Sequence, residues 1–288
     1  MIAGGASYPG RMTRSTVAVL SIAGSDSGGG AGIQADLKAF ARCGVHGMTA
    51  ITALTAQNTV GVTAVHAVPG DFIVEQVRAV VEDIGVAAVK IGMLGTAETV
   101  AAVDSALDLL EPGTPVVIDP VMVAESGAVL LDQSARSALV KLLLPRATVI
   151  TPNVPEARVL AGPGAAEDVE ALSRSLHGLG PDVVVVTGGH REEITDVLFD
   201  GENVHLIPGD RHPDGAAHGS GCTHSSALAA QLALGRSPLE AARAARSIAA
   251  AAVRDGLRGL GRGPGPVDVL GLTGRGAEHA YDAQVSGV

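Results

Sequence analysis

One stretch of the sequence, residues 217–227, combines residue types that suit chemistry on a phosphate group. Gly219 and Gly221 flank Ser220, Cys222 follows, and the alanine-rich run after them predicts a helix. The first N–H groups of a helix lack partners within it and carry partial positive charge, so this N-terminus suits an anion. We expect the same field to favour the thiolate form of Cys222.

The alternative for this stretch is an ordinary loop in which Cys222 is a small, buried residue that begins a core helix. The spacing matches neither the dinucleotide-binding glycine fingerprint nor a P-loop, because no lysine follows the glycines. From these residues alone, both interpretations remain open.

A second glycine-rich loop, residues 24–30, lies between the apolar run 17–23 and a predicted helix that begins near Ala31. The apolar run predicts a strand buried on both faces, and a loop after such a strand is where parallel sheets bind ligands. The alternative is a flexible connector. Ordering three consecutive glycines costs backbone entropy, which favours a loop that approaches a ligand.

Strand, loop and helix alternate along the chain, and this pattern predicts an α/β fold with a mostly parallel central sheet and helices on both faces. Residues 62–68 interrupt the alternation and predict a small β flap, while 197–198 and 204–207 predict an antiparallel pair. We expect a disordered leader at 1–14, one domain at 15–272 and a frayed tail at 273–288. A signal peptide that ends at Ala23 is a less favoured alternative for the leader.

Polar residues follow several predicted strands, and strand ends of a parallel sheet gather at one edge. Asp119 and Glu156 are candidate ligands for Mg²⁺, which takes few carboxylates and keeps several waters. Two alternatives remain: Asp119 simply ends a strand, and Asn153 with Glu156 forms a helix capping box. The nine histidines show no zinc-like spacing with cysteine, and we expect His190, His218 and His224 to be hydrogen-bonding or solvated residues and not metal ligands.

The composition limits the classes of partner. The formal net charge is −10 and no basic cluster opposes it, which disfavours nucleic acid and anionic membranes as partners. No apolar segment of the sequence has the length of a membrane span. Cys43 and Cys222 form no disulfide framework, which predicts a reducing, cytoplasmic location.

Six segments together resemble the signatures of the hydroxymethylpyrimidine/phosphomethylpyrimidine kinases of thiamine synthesis, which have the ribokinase-like fold. They are residues 24–38 (GSDSGGGAGIQADLK), 51–59 (ITALTAQNT), 90–94 (KIGML), 119–122 (DPVM), 151–156 (TPNVPE) and 218–223 (HGSGCT). The resemblance spans about residues 17–268. It implies phosphorylation of 4-amino-5-hydroxymethyl-2-methylpyrimidine and its monophosphate, with ATP and Mg²⁺.

The resemblance also implies roles for individual residues. Gln57 would hydrogen-bond the pyrimidine, with Gly24 and Asp36 helping to orient it. The ring would be walled by Ala31, Met93 and Val121. An anion hole would be formed by Gly219, Ser220 and Gly221, with Cys222 in the position of the general base. Asp119 and Glu156 would hold Mg²⁺. The ATP phosphates would be bound by Asn153, Thr187 and Gly189.

At three positions the sequence departs from this resemblance. Thr187 stands where lysine is common, Thr55 where valine is usual, and His224 where an apolar residue is usual. The nearest rival is a pyridoxal kinase of the same fold, since pyridoxal also carries a hydroxymethyl group on a heteroaromatic ring. A non-catalytic vitamin-binding sensor is a further alternative, and a homodimer is possible on this sequence.

Overall fold

The computed structural model of the chain describes residues 16–124, 127, 130–188 and 195–274. The predicted leader, Gly189, His190 and most of the predicted tail lie outside these residues. The described strands are β1 (Ala18–Asp26), β2 (His46–Gln57), β3 (Val62–Ala67), β4 (Ala88–Ile91), β5 (Val116–Ile118), β6 (Val149–Ile150), β7 (Val183–Val186), β8 (Thr195–Phe199) and β9 (Val204–Pro208). The described α-helices are α1 (Gly32–Arg42), α2 (Gly70–Asp83), α3 (Ala97–Leu107), α4 (Gln133–Ala138), α5 (Val154–Ala161), α6 (Val169–His177), α7 (Ser220–Ala233) and α8 (Pro238–Arg254).

These strands form one sheet in the order β3-β2-β1-β4-β5-β6-β7-β8-β9. The six strands from β2 to β7 in this order are parallel, so their carboxyl ends share one edge. The predicted flap strand β3 pairs antiparallel with β2, and β8 and β9 form the predicted antiparallel pair. The predicted mostly parallel sheet is therefore confirmed.

Helices cover both faces of the sheet, as the buried side chains of β1 show. Leu20 and Ile22 belong to an apolar cluster with residues of α2 to α6, whereas Val19 belongs to the opposite cluster with α1, α7 and α8. The apolar run 17–23 is thus part of an interior strand, as expected for a strand buried on both faces. Within the described ranges, no helix combines the length and apolar character that a membrane crossing needs.

Helix boundaries follow the capping residues more closely than the apolar pattern. The sequence pattern predicts a helix from about residue 166, but the side chain of Asp168 accepts the N–H of Ala171, so α6 begins at Val169. The pattern also predicts one helix around residues 134–143, where α4 instead gives way to a π-helical turn at Leu139–Leu143. Ser237 and Glu240 have the spacing of a capping box, and α8 begins there with Ser237 at the N-cap.

A buried ion pair joins the elements at the centre of the molecule. Nζ of Lys90 lies 2.9 Å from Oδ1 of Asp36, and both side chains are fully buried. Asp36 also accepts hydrogen bonds from the hydroxyls of Ser21 at 2.6 Å and Ser226 at 2.7 Å. Burial alone would lower the pKa of Lys90, but the carboxylate of Asp36 outweighs it and raises that pKa above its usual value. This network ties β1, α1, β4 and α7 together.

We expect the variant Lys90→Met to lose about 3–5 kcal/mol of unfolding free energy, because it leaves the Asp36 carboxylate buried without its counter-ion. The matched control is Arg78→Met, which breaks an exposed ion pair with Glu75 and should cost less than about 1 kcal/mol. Urea unfolding followed by circular dichroism measures both. Equal, small losses in the two variants would contradict the role given to the buried pair.

Candidate active site

A cavity of about 470 Å³ lies at the edge of the sheet where the parallel strands end. Its position agrees with the expectation that polar strand ends gather at one edge. The predicted site residues that line it are Gly24, Ala31, Gln57, Met93, Asp119, Val121, Asn153, Glu156, Thr187, Gly219, Ser220, Gly221 and Cys222. Gly189 lies outside the described residues, and Asp36 does not line the cavity.

One half of the cavity is formed by the loops after β1, β2 and β4. A Cβ atom on Gly24 would collide with the terminal methyl group of Met93, so a side chain there would require the end of the Met93 side chain to move. Gln57 ends β2, and its backbone is held at both ends by the hydroxyl of Ser27, which accepts its N–H at 2.8 Å and donates to its carbonyl at 2.7 Å. The Thr55 hydroxyl donates to the carbonyl of Ser25 at 2.9 Å and also lies 3.2 Å from Oε1 of Gln57. The amide nitrogen of Gln57 is left to donate to a ligand.

Asp36, which the resemblance implies helps to orient the pyrimidine, does not line the cavity. Its carboxylate is fully buried below the cavity and accepts hydrogen bonds from Ser21, Lys90 and Ser226. These bonds use the carboxylate oxygens inside the protein, so Asp36 acts on the cavity through Lys90, which lines it. The sequence pattern could not show this, because the partners of Asp36 come from three other elements.

Helix α7 brings its N-terminus to the middle of the cavity. Gly219 is the N-cap and has a left-handed backbone with φ of 84°, a conformation that glycine adopts without strain. The N–H of Ser220 bonds to the carbonyl of Ala217, so the following N–H groups of Gly221 and Cys222 remain at the helix end. Gly221 is exposed, and even an added Cβ would approach no atom closer than Oδ2 of Asp119 at 3.8 Å. The arrangement suits an anion beside this helix end.

The expectation that Cys222 is a thiolate is wrong. Although the residue borders the cavity, burial raises the pKa of its thiol to about 12, against the opposing effect of Lys90. The carboxylates of Asp36 and Asp119 raise this pKa further, and the N–H of Gly32 lowers it only in part. At neutral pH Cys222 is therefore a protonated thiol, and the field of the helix N-terminus does not decide its state.

Two carboxylates face the cavity on the side of β5 and β6. Burial and the neighbouring charge of Asp119 raise the pKa of Glu156 to about 8. Burial also raises the pKa of Asp119, against the opposing effect of Lys90, and Ser225 donates to Oδ2 of Asp119 at 3.0 Å. A cation placed between these carboxylates would relieve their repulsion, so the pair fits Mg²⁺.

The capping-box alternative for Glu156 is also present in the structure. Its Oε2 accepts the N–H of Asn153 at 3.0 Å, and Oδ1 of Asn153 accepts the N–H of Glu156 at 2.9 Å. Glu156 therefore both begins α5 and borders the cavity. Among the described residues, no group of three or more His, Cys, Asp or Glu side chains is arranged around a metal position.

The other half of the cavity contains charged residues that the sequence did not single out. Asp196 is fully buried, and its Oδ1 accepts the N–H of Gly188, next to Thr187. Oδ2 of Asp196 lies 3.6 Å from Nε2 of His224 and 3.8 Å from Nε of Arg246. Burial lowers the pKa of His224, so the ring is neutral at neutral pH. The only sequence signal here was His224, which stands where the resemblance has an apolar residue.

Comparison with known proteins by sequence points to one family. The sequence profile of phosphomethylpyrimidine kinase matches residues 26–268. The hydroxymethylpyrimidine/phosphomethylpyrimidine kinase of Rhizobium meliloti is 47% identical to this chain over 258 residues. That alignment covers 88% of this chain and 96% of the relative.

Comparison with solved structures gives two kinds of kinase. The phosphomethylpyrimidine kinase of Clostridium difficile matches with a TM-score of 0.71 at 41% identity, over 81% of this chain and 97% of that one. The pyridoxal kinase of Staphylococcus aureus in complex with AMP-PCP and pyridoxal matches with a TM-score of 0.80 at 34% identity, over 90% of this chain and 95% of that one. The predicted ribokinase-like fold is confirmed.

The raised pKa of Cys222 predicts how the thiol reacts. In the variant Cys43→Ser, iodoacetamide should modify Cys222 slowly at pH 7, because only the thiolate is the nucleophile. The rate should still rise between pH 9 and pH 10, whereas that of a free thiol with a pKa of about 8.5 levels off there. Mass spectrometry of the labelled peptide measures the rate, and N-acetylcysteine serves as the control. A rate for Cys222 that levels off below pH 9 would show that the thiol is not shifted.

Proposed function

Because this chain belongs to the phosphomethylpyrimidine kinase family, we propose that it phosphorylates 4-amino-5-hydroxymethyl-2-methylpyrimidine and its monophosphate in thiamine biosynthesis. It is a kinase, and ATP is the phosphoryl donor. One observation supports the proposal most strongly: a single cavity holds a pocket of apolar and amide groups, a free helix N-terminus and a pair of carboxylates. Those are the parts that recognise a ring, bind a phosphate and hold a metal ion.

The pyrimidine is assigned to the half of the cavity near β1 and β2. The amide of Gln57 faces the polar atoms of the ring, and Ala31, Met93 and Val121 supply apolar contacts to its faces. This position points the hydroxymethyl group toward the N-terminus of α7. The other half, with Thr187, is assigned to the nucleotide.

Transfer is assigned to the N-terminus of α7. Phosphoryl transfer passes through a loose transition state, so positioning and charge stabilisation matter more than covalent catalysis. The N–H groups of Gly221 and Cys222 would stabilise the transferred group as fixed donors that need no reorganisation. Cys222 is a protonated thiol in the absence of ligands, so we assign it a role in positioning the phosphoryl group. A loose transition state requires little removal of the proton from the acceptor hydroxyl, so it makes little demand for a thiolate base. The in-line transfer needs no phosphocysteine.

Mg²⁺ is assigned to the carboxylates of Asp119 and Glu156. The ion would neutralise charge on the phosphates when it is bound. The carboxylates hold it at the end of β5 and at the start of α5, next to the helix N-terminus of α7. A homodimer and a location in the cytoplasm remain predictions from the sequence.

Pyridoxal is the second candidate acceptor, because the TM-score with a pyridoxal kinase is higher than with the Clostridium difficile phosphomethylpyrimidine kinase. The sequence identities rank these two proteins in the opposite order. The shared frame therefore accommodates both rings, and the side chains that line the cavity must decide between them.

Product analysis tests the proposed function. The protein is incubated with ATP, Mg²⁺ and one acceptor: the pyrimidine alcohol, its monophosphate or pyridoxal. We expect mono- and diphosphate products from the two pyrimidines, identified by mass spectrometry. Product from pyridoxal alone would make the second candidate the activity, and ADP without any phosphorylated acceptor would contradict both.

The variant Gln57→Leu should weaken pyrimidine binding by about 1–3 kcal/mol, the cost of leaving buried polar atoms of the ring without partners. ATP binding should not change, since Gln57 lies in the other half of the cavity. Calorimetric titration of each ligand measures both effects. The matched control is Gln133→Leu, at an exposed glutamine on α4, which should change neither affinity. Undiminished pyrimidine binding in Gln57→Leu would contradict the assigned ring position.

The raised pKa of Glu156 predicts that Mg²⁺ binding depends on pH. Below about pH 8 the carboxyl carries a proton that Mg²⁺ must displace, so affinity should rise with pH by at most about tenfold per unit and level off above pH 8. Calorimetric titration with Mg²⁺ in the presence of ADP, from pH 6.5 to 9, measures this. The variant Glu156→Gln should bind Mg²⁺ weakly and without that rise. The same rise in both proteins would remove Glu156 from the metal site.

A further inference from the structure

Two loops that reach the cavity from distant parts of the chain meet at one side-chain pair. Nε2 of His218 lies 3.2 Å from Oδ2 of Asp26, and the two side chains are only 11% and 4% exposed. Asp26 ends β1 in the loop that borders the assigned ring position. His218 immediately precedes Gly219, the N-cap of the helix assigned to the phosphate.

Asp26 also organises its own loop. Its Oδ1 accepts the N–H of Gly28 at 2.7 Å, and its Oδ2 accepts those of Gly30 at 3.0 Å and Ala31 at 2.9 Å. Burial alone would raise the pKa of Asp26, but the hydrogen bonds from His218 and from the backbone outweigh it and lower that pKa. The residue is therefore a carboxylate at neutral pH, with both oxygens engaged.

The backbones of the two loops are also in direct contact. A Cβ atom on Gly30 would lie 2.6 Å from Nε2 of His218, so glycine is needed for the ring to reach Asp26. A Cβ atom on Gly219 would collide with the carbonyl oxygen of Gly30. The N–H of Val267 donates to the backbone carbonyl of His218 at 3.1 Å, which holds the backbone of His218 in place. The close approach thus depends on both glycines and on the Asp26–His218 pair.

We propose that Asp26 and His218 form a latch that fixes the distance between the acceptor hydroxyl and the transferred phosphoryl group. The latch connects the loop of Gly24 to Ala31, which borders the acceptor, with the loop of Gly219 to Cys222, which borders the phosphate. Neither residue needs to touch the reacting atoms, so both are positioning residues. Each loop can still bind its own ligand when the latch is broken, but the two ligands no longer meet at reacting distance.

This inference rests on the proposed function, in which acceptor and phosphate occupy those two loops. A misplacement of about 1 Å between reacting groups is enough to lower a rate about 100-fold. We therefore expect His218→Ala to lower kcat by about 10- to 100-fold, while KM for ATP and for the acceptor changes less than about twofold. His218→Gln retains an N–H donor that can face Asp26, and it should recover part of the lost kcat.

The ratio of ADP to phosphorylated acceptor provides a second measurement. This ratio would not change if the pair had a purely structural role. With an intact latch, each ADP formed should correspond to one phosphorylated acceptor. In His218→Ala, misaligned acceptor leaves the transferred group open to water, so more ADP than phosphorylated acceptor should form. Both products are measured in the same reaction by mass spectrometry.

The matched control is His205→Ala, which removes a histidine–aspartate pair of similar length, 3.1 Å, between His205 in β9 and Asp200 in the turn before it. It should leave kcat and the ADP ratio unchanged. If His218→Ala does not fold, as judged by thermal unfolding, Gly30→Ala serves in its place. It keeps both side chains but displaces the ring, and it should show the same loss of kcat.

The outcomes separate the latch from the proposed function. Wild-type protein that phosphorylates neither pyrimidine nor pyridoxal contradicts the proposed function, whatever the variants do. With an active wild type, a large increase in KM at unchanged kcat contradicts the latch, because the pair would then shape binding alone. Unchanged kcat and ADP ratio in folded His218→Ala or Gly30→Ala also overturn it.

Discussion

The pair of opposite charges at the centre of the sheet determines where the functional loops lie. Taking Lys90 and Asp36 out of water is costly unless each compensates the other and further hydrogen bonds satisfy the carboxylate. Ser21 and Ser226 supply those bonds, so the requirement is met only when β1, α1, β4 and α7 come together. The first of these elements leads into the acceptor loop, and the last begins at the anion site. One electrostatic requirement in the interior thus brings together the elements that carry the acceptor loop and the anion site.

Local patterns in the sequence predicted most of the fold, because they act over a few residues. The capping box at Ser237 marks the start of α8, and the glycines before Cys222 mark the start of α7. Boundaries were missed where one side chain decides the outcome, as Asp168 does for α6. The order of the strands was not derivable from these patterns, since it depends on which apolar faces pack together.

The chemical state of the site was harder to predict than its location. The field of a helix N-terminus favours a thiolate, and the sequence shows that field directly. Burial of Cys222 and the charges of Asp36 and Asp119 act the other way, and these carboxylates are more than 100 residues away in the sequence. Asp36 is a second case: the resemblance implied that it helps to orient the ring, but Ser21, Lys90 and Ser226 hold its carboxylate inside the protein. Desolvation is a property of the assembled structure, so it decides the cases in which sequence motifs mislead.

The charges of the cavity constrain how it holds a nucleotide. ATP is a polyanion, the chain carries a net charge of −10, and Asp119, Glu156 and Asp196 border the same space. Lysines do not offset this negative charge, because Lys90 is paired with Asp36 and threonine occupies position 187. Under the proposed function, three kinds of group remain to balance the phosphates: the guanidinium groups of Arg211 and Arg246, which border the same cavity, the helix N–H donors and Mg²⁺. The N–H donors of α7 add no net charge to the protein, and Mg²⁺ neutralises carboxylates and phosphates at once. Carboxylates that would repel ATP alone therefore favour the Mg²⁺ complex, which links metal and nucleotide binding through a single charge balance.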